Sequence, residues 1–292
     1  MCASTLPESF LSDQRCVSIH DGQVQWLQAL DKNPQPLMDY LAVRKSSRLG
    51  YYFEDLVAYW IEEKISGGYF ESHVKVSDGN RDIGEFDFLF KSSCGIEHWE
   101  AAVKFYLYTQ DQSGKVTWHG PNAKDTLEKK VQRMTAHQVR LSELSEAKVV
   151  LSGKGIDQVS AAVFLKGYLF YPLGMDRGEV DREVLGYQIS PAHLKGWWLR
   201  VAELNRFENE VIFDNNLRWR IVPRLEWLAP GVYASTSDVK GLVNTATLRT
   251  TLQKHFAEAE QSLLVGGFAV DETGLWQEQT RGFVVAQSWP DE

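Results

Sequence analysis

Hydrophobic and polar residues alternate most sharply over residues 84–108, where two strand-like segments each carry one apolar row and one row of ionisable groups. A period of two in Gly84-Glu85-Phe86-Asp87-Phe88-Leu89-Phe90 sends Phe86, Phe88 and Phe90 to one side and Glu85 and Asp87 to the other. The same rule over residues 98–108 separates Trp99, Ala101, Val103, Phe105 and Leu107 from Glu100, Ala102, Lys104 and Tyr106. Upstream, Phe53, Leu56, Val57, Trp60 and Ile61 recur at three and four residues, which predicts an amphipathic helix over 49–65, stopped by Gly67-Gly68. Glu54 falls at the edge of its buried stripe, on the side of Ala58 and Ile61.

A strand over 69–76 and a turn at Asp78-Gly79-Asn80 complete a three-strand meander. Asn122 stands where a helix cap would, with Asp125 in the capping-box position, so one helix is expected over 123–147. Its stripe is Leu127, Val131, Met134, Gln138 and Leu141, in which Gln138 is the polar member. Residues 160–171 form an apolar, β-rich run ending at Pro172, a buried strand. The order is helix, three strands, helix, strand: an α/β core over 48–175. Residues 1–47 read as short helices broken at Pro34 and Pro36, with Val24, Leu27 and Leu30 packing one face. A linker is expected at 174–181. A C-terminal α+β extension over 176–292 has strands at 211–214 and 217–222, a helix at 245–264 and a hairpin-like pair at 267–270 and 282–286.

Composition narrows the class. The 292 residues are 43% hydrophobic and 24% charged, ordinary for a folded protein. A net charge of −8 gives no global field for nucleic acid, so a polyanion would have to meet a local patch. Cys2, Cys16 and Cys94 are odd in number and share no metal-ligand spacing, which points to free thiols, no disulfide-linked partner and a cytoplasmic protein. No secretory signal or membrane-length apolar run is visible, so no membrane partner is expected.

Two carboxylates and a lysine on one strand face are what a divalent metal and a phosphate need. Asp87 and Glu100 supply hard oxygen ligands for Mg²⁺ or Mn²⁺, Lys104 a cation for the attacked phosphate, and Glu54 a group to orient a water or hold a second metal. Spacing alone fits surface ion pairs on a half-exposed sheet slightly better. Three details point further: Val103, Phe105 and Leu107 imply a buried face, Ala101-Ala102 leaves room for a ligand, and Lys104 in an apolar row needs a carboxylate nearby.

This arrangement resembles the core of the PD-(D/E)XK nuclease superfamily over residues 49–171. The run Arg48-Leu49-Gly50-Tyr51-Tyr52-Phe53-Glu54, the segment Val103-Lys104-Phe105-Tyr106, and Arg281-Gly282-Phe283-Val284-Val285 with Trp289-Pro290 also resemble an uncharacterised bacterial family, domain of unknown function eighteen-fifty-three, over nearly the whole chain. The superfamily resemblance implies a restriction-endonuclease-like α/β fold. It maps the first acid onto Asp87, the lysine onto Lys104 and the helix glutamate onto Glu54. The second acid should stand two residues before the lysine, where this chain has Ala102; Glu100 lies on the same face, roughly 6–7 Å further along the strand. A long side chain or a β-bulge would bring its carboxylate back, or the site is degenerate. Gln138 resembles the glutamine that some members carry on the following helix, without its accompanying tyrosine.

The expected function is hydrolysis of DNA or RNA phosphodiester bonds. Lys124, Lys129, Lys130, Arg133 and Arg140 make the following helix locally basic, and Lys124, Lys130, Arg133 and Gln138 are the candidate substrate contacts. A solvated, ion-paired helix face explains the same charges. Trp197-Trp198, Trp219 and Trp227 are either stacking platforms or core anchors. His73, His98, His119 and His137 have no zinc spacing. The alternatives are an inactive nuclease-fold protein that binds nucleic acid or protein, and a structural or regulatory scaffold.

Overall fold

The computed structural model describes residues 21–44, 48–79, 81–175, 183–190, 193–208, 217–235 and 238–290. Its helices and strands in chain order are α1 (Asp21–Lys32), α2 (Gln35–Ala42), α3 (Leu49–Lys64), β1 (Phe70–Ser77), β2 (Asp82–Ser92), β3 (Gly95–Gln110), β4 (Val116–His119), α4 (Leu127–Arg133), α5 (Ser145–Gly153) and β5 (Ser160–Pro172). There follow a small hairpin of β6 (Glu183–Val184) and β7 (Tyr187–Gln188), then β8 (Leu194–Arg200), β9 (Arg218–Ile221), β10 (Val232–Tyr233), α6 (Thr245–Glu258), β11 (Leu263–Val270) and β12 (Trp276–Val285). The fold is mixed α/β around one large mixed sheet.

That sheet has ten strands among the described residues, in the order β1-β2-β3-β5-β8-β12-β11-β9, with β4 on β3 and β10 on β12. β1, β2 and β3 form the expected antiparallel meander. β3, β5, β8 and β12 then run parallel, β11 is antiparallel to β12, and β9 is antiparallel to β11. The sheet therefore crosses the expected linker without a break, β5 pairing with β8 through Tyr168↔Leu194. Most of residues 174–181, and the strand expected at 211–214, lie outside the described residues.

β3 is a central strand, and this overturns the reading of a half-exposed sheet. Trp99, Ala101, Val103, Phe105 and Leu107 pack with α3 residues Phe53, Val57, Trp60 and Ile61 on one face. Ala102, Tyr106 and Tyr108 pack with Leu127, Val131 and Met134 of the following helical segment on the other. Parallel strands buried on both faces need such apolar rows on both sides.

The single helix expected over 123–147 is broken into pieces. Thr126, not Asn122, is the cap of α4, its side chain accepting from Lys129 N–H. A π turn over Met134–Gln138 and a 3₁₀ turn over Leu141–Glu143 separate α4 from α5. α6 ends at Glu258, short of the expected 264, because Leu263 already belongs to β11. Pro36 opens α2 rather than breaking a helix, since proline suits a first turn whose N–H has no partner. Val24 is exposed, off the face that α1 packs.

Cys94 is disulfide-bonded, which corrects the reading of free thiols. An odd count leaves one thiol over but does not forbid a bridge, and the support it lent to a reducing compartment is lost; Cys2 and Cys16 lie outside the described residues. No described helix is long and apolar enough to cross a membrane.

Candidate active site

The site begins where β2 leaves β3. Their ladder runs from Ser92↔Gly95 to Phe88↔Trp99 and stops there. One residue on, Asp87 Oδ2 accepts from the backbone N–H of Ala101 at 2.9 Å, so a side chain takes a donor the departing strand no longer pairs. The expected phenylalanine row breaks at the same point. Phe88 and Phe90 stay in the α3-side core, whereas Phe86 joins Leu89 and Leu141 and its ring meets His98 edge-on at 4.6 Å. Opposite Asp87, between the pairs Ser72↔Phe88 and Val74↔Phe86, His73 takes a left-handed backbone with φ 55°. Period-two reasoning assumes a regular strand and misses this turn of the chain.

Glu100 is fully buried and lies behind the cavity rather than on its wall. His98 Nε2 meets its Oε1 at 2.9 Å, and Gln138 Nε2 donates to Oε2 at 2.6 Å. Gln138 Oε1 in turn accepts from Lys130 Nζ at 3.2 Å. The π turn over Met134–Gln138 puts Gln138 in place, a use of π-bulges common at functional sites. Burial holds His98 neutral, its pKa lowered to about 4. Sequence spacing gave no hint of His98, because a histidine two residues before an acid is an ordinary strand pattern.

Lys104 finds its carboxylate in the loop before α4, not on the sheet. Its Nζ lies 3.1 Å from Asp125 Oδ2, which also accepts from Tyr106 O–H at 3.1 Å. Gly167, paired with Lys104 across β3 and β5, has φ +142°, and a Cβ there would stand 1.7 Å from the Lys104 carbonyl oxygen. Only glycine permits this approach. The expected capping role of Asp125 is replaced by this pairing, and the lone signal in sequence was its charge close to Asn122.

Glu54 projects from α3 into the same cavity as Asp87 and Lys104. His73 Nε2 stands 3.9 Å from Glu54, with His73 Nδ1 3.0 Å from Glu85. Burial, then the charge of Asp87, pushes the Glu54 pKa up to about 7. Burial, then the charge of Glu100, raises Asp87 to about 7 against the pull of the Ala101 N–H. Burial raises Glu100 to about 7 although Lys130 and hydrogen bonds from Asp87 pull it down. Lys130 is itself lowered by burial and by the nearby Lys104. Burial is the largest cause for all three carboxyls, with Asp87 adding to the rise of Glu54 and Glu100 to that of Asp87.

Among the described residues no three His, Cys, Asp or Glu side chains are placed to enclose a metal by themselves. Mg²⁺ is commonly held through one or two carboxylates, with water and substrate phosphate completing its shell. Asp87 and Glu54 line the cavity where such an ion would sit, whereas Glu100 lies behind its wall with both oxygens hydrogen-bonded.

The cavity encloses about 590 Å³. Glu54, Asp87, Lys104, Lys124, Lys130 and Gln138 line its core side. Arg133 is exposed and lines a neighbouring hollow with Glu85 and His137 instead. The far wall comes from the C-terminal extension, through residues that include Arg224, Trp227 and Ser262. Trp197, Trp198 and Trp219 are buried core, which leaves Trp227 alone of those four on the cavity wall.

Residues 4–285 match the family described as Domain of unknown function (DUF1853). The chain belongs to that family. No curated protein matches it. No solved structure matches it either.

Proposed function

We propose that this DUF1853 protein is a metal-dependent phosphodiesterase, a nuclease acting on DNA or RNA, built on a restriction-endonuclease-like core. One observation carries the reading: the parting of β2 from β3 at Asp87 sets its carboxylate, Glu54 and the Lys104 ammonium in a single cavity, with Glu100 directly behind. The succession α3, β1 to β3, the α4 segment and β5 supports the same core.

Asp87, with Glu54 or Glu100, would hold Mg²⁺ or Mn²⁺. Such a cation supplies positive charge at the phosphate and acidity to a water. Lys104, steadied by Asp125, meets the negative charge that develops on the phosphate oxygens. Glu54, its pKa raised to about 7, accepts a proton from the attacking water near neutral pH. Gln138 and Lys130 fix the Glu100 side chain.

A second reading, an inactive nuclease-fold protein that binds nucleic acid or protein, is favoured by Ala102 at the second-acid position and by the two hydrogen bonds that occupy both oxygens of Glu100. Mn²⁺ titration followed by electron paramagnetic resonance separates the two. The nuclease reading expects binding that Asp87→Asn removes; no binding by the unaltered chain supports the inactive reading.

A further inference from the structure

The cavity is shared between the core and the C-terminal extension, and the shared half is unused by the chemistry above. Ser262, buried just before β11, donates to the carbonyl of Pro121 at 2.7 Å and so ties the two walls together. The extension wall also includes Ile221, Val222, Leu264, Arg224 at the start of the 3₁₀ turn Arg224–Glu226, and the Trp227 that follows it. Trp227 is only partly buried. Its Nε1 donates to the Val222 carbonyl at 3.0 Å, and its ring stands edge-on to Phe105 and Phe283 at 5.3 and 5.1 Å. Arg281, a buried residue of β12, donates to the carbonyls of Trp227 and Ala229, both at 2.7 Å. The tryptophan is therefore a fixed plate and not a loose surface side chain.

Charge adds a second signal. Four cations, Lys104, Lys124, Lys130 and Arg224, line the cavity against three carboxylates, Glu54, Asp87 and Asp125, in a chain of net charge −8. Lys104 is ion-paired with Asp125, but among the described residues no carboxylate pairs with Lys124 on the core wall or Arg224 on the extension wall. The Arg224 guanidinium lies 5.5 Å from the Trp227 ring. An aromatic plate flanked by cations on facing walls is how proteins hold unpaired bases along a phosphate backbone. At about 590 Å³ the space is of the size that takes a small ligand, which suits a nucleotide or two of one strand.

We propose, on the basis of the nuclease reading, that the substrate is single-stranded nucleic acid, one base resting on Trp227 and its phosphates spanning Arg224 and Lys124. The extension is then the second half of the binding channel. Trp227 and Arg224 bind substrate and do no chemistry.

Fluorescence anisotropy with labelled single-stranded DNA, single-stranded RNA and the matching duplex, in EDTA so that nothing is cleaved, tests this. A single strand of either sugar should bind at least about tenfold tighter than duplex. Arg224→Gln and Lys124→Gln should each weaken that binding and lower the salt slope by about one. Trp227→Ala should weaken it about tenfold while Trp227→Phe retains most of it. Melting curves establish that each variant is folded. Equal or tighter duplex binding, no binding of any of these probes, or folded variants that bind like the unaltered chain overturn the proposal. Single-strand binding without cleavage would instead sink the nuclease reading alone. Asp87-dependent cleavage with no effect of Arg224 or Trp227 would sink this one alone.

Discussion

Asp87 accepts a hydrogen bond from the backbone of Ala101 at 2.9 Å, one residue beyond the last pair of the β2–β3 ladder. The carboxylate thus substitutes for a strand partner, and the strand is released to bend away. This one contact explains why Phe86 changes faces and why an acid can stand half-buried at the head of a cleft.

Buried carboxyls make stability depend on pH in an unusual direction. Glu54, Asp87 and Glu100 have folded pKa values raised to about 7, so between about pH 4.5 and 7 the folded chain holds more protons than the unfolded one. Their contribution falls as pH rises through that window. His98 acts oppositely: lowered to about 4 from 6.5, it adds stability as pH rises, and this gain is complete by about pH 6.5. Calorimetry without metal should therefore show the melting temperature falling from pH 6.5 to pH 8, and Asp87→Asn should raise it at pH 8. A rise over that interval in the unaltered chain contradicts the burial of these carboxyls.

Gly167→Ala drives a Cβ into the Lys104 carbonyl and asks alanine to adopt φ +142°. The β3–β5 ladder must open, at a cost of about 2–4 kcal/mol, or the chain fails to fold. Urea unfolding measures this. A variant of unchanged midpoint would mean that Lys104 is not held by this approach.

Gln138→Leu removes the donor to Glu100 Oε2 and the acceptor of Lys130. At pH 8, with Glu100 ionised, this should cost about 1–3 kcal/mol. At pH 5, where Glu100 carries a proton, the loss should be smaller. Equal losses at both pH values would show that Gln138 serves packing and not the carboxylate.

Much of the meander was legible in sequence because its rows of apolar residues are long: Val103, Phe105 and Leu107 predict a buried face, and they have one. The regular period also assigned Phe86 wrongly, since nothing in a residue pattern marks where a strand loses its partner. The same limit hid the π turn at Met134–Gln138, for the stripe of Leu127, Val131 and Met134 reads as an unbroken helix up to the point where it widens. Of the candidate site, Glu54, Asp87 and Lys104 do share a cavity, and Glu100 sits behind it. Asp125, His98 and Gly167 act through contacts between elements distant in sequence, which spacing along one strand does not report.

The most direct test is cleavage of labelled single-stranded and duplex DNA and RNA with Mn²⁺ or Mg²⁺, compared for the unaltered chain, Asp87→Asn and Lys104→Ala. We predict metal-dependent cleavage of at least one substrate, abolished by EDTA and reduced on the order of a hundredfold or more in both variants. Absence of cleavage of every substrate with either metal, or cleavage that survives Asp87→Asn undiminished, would contradict the account.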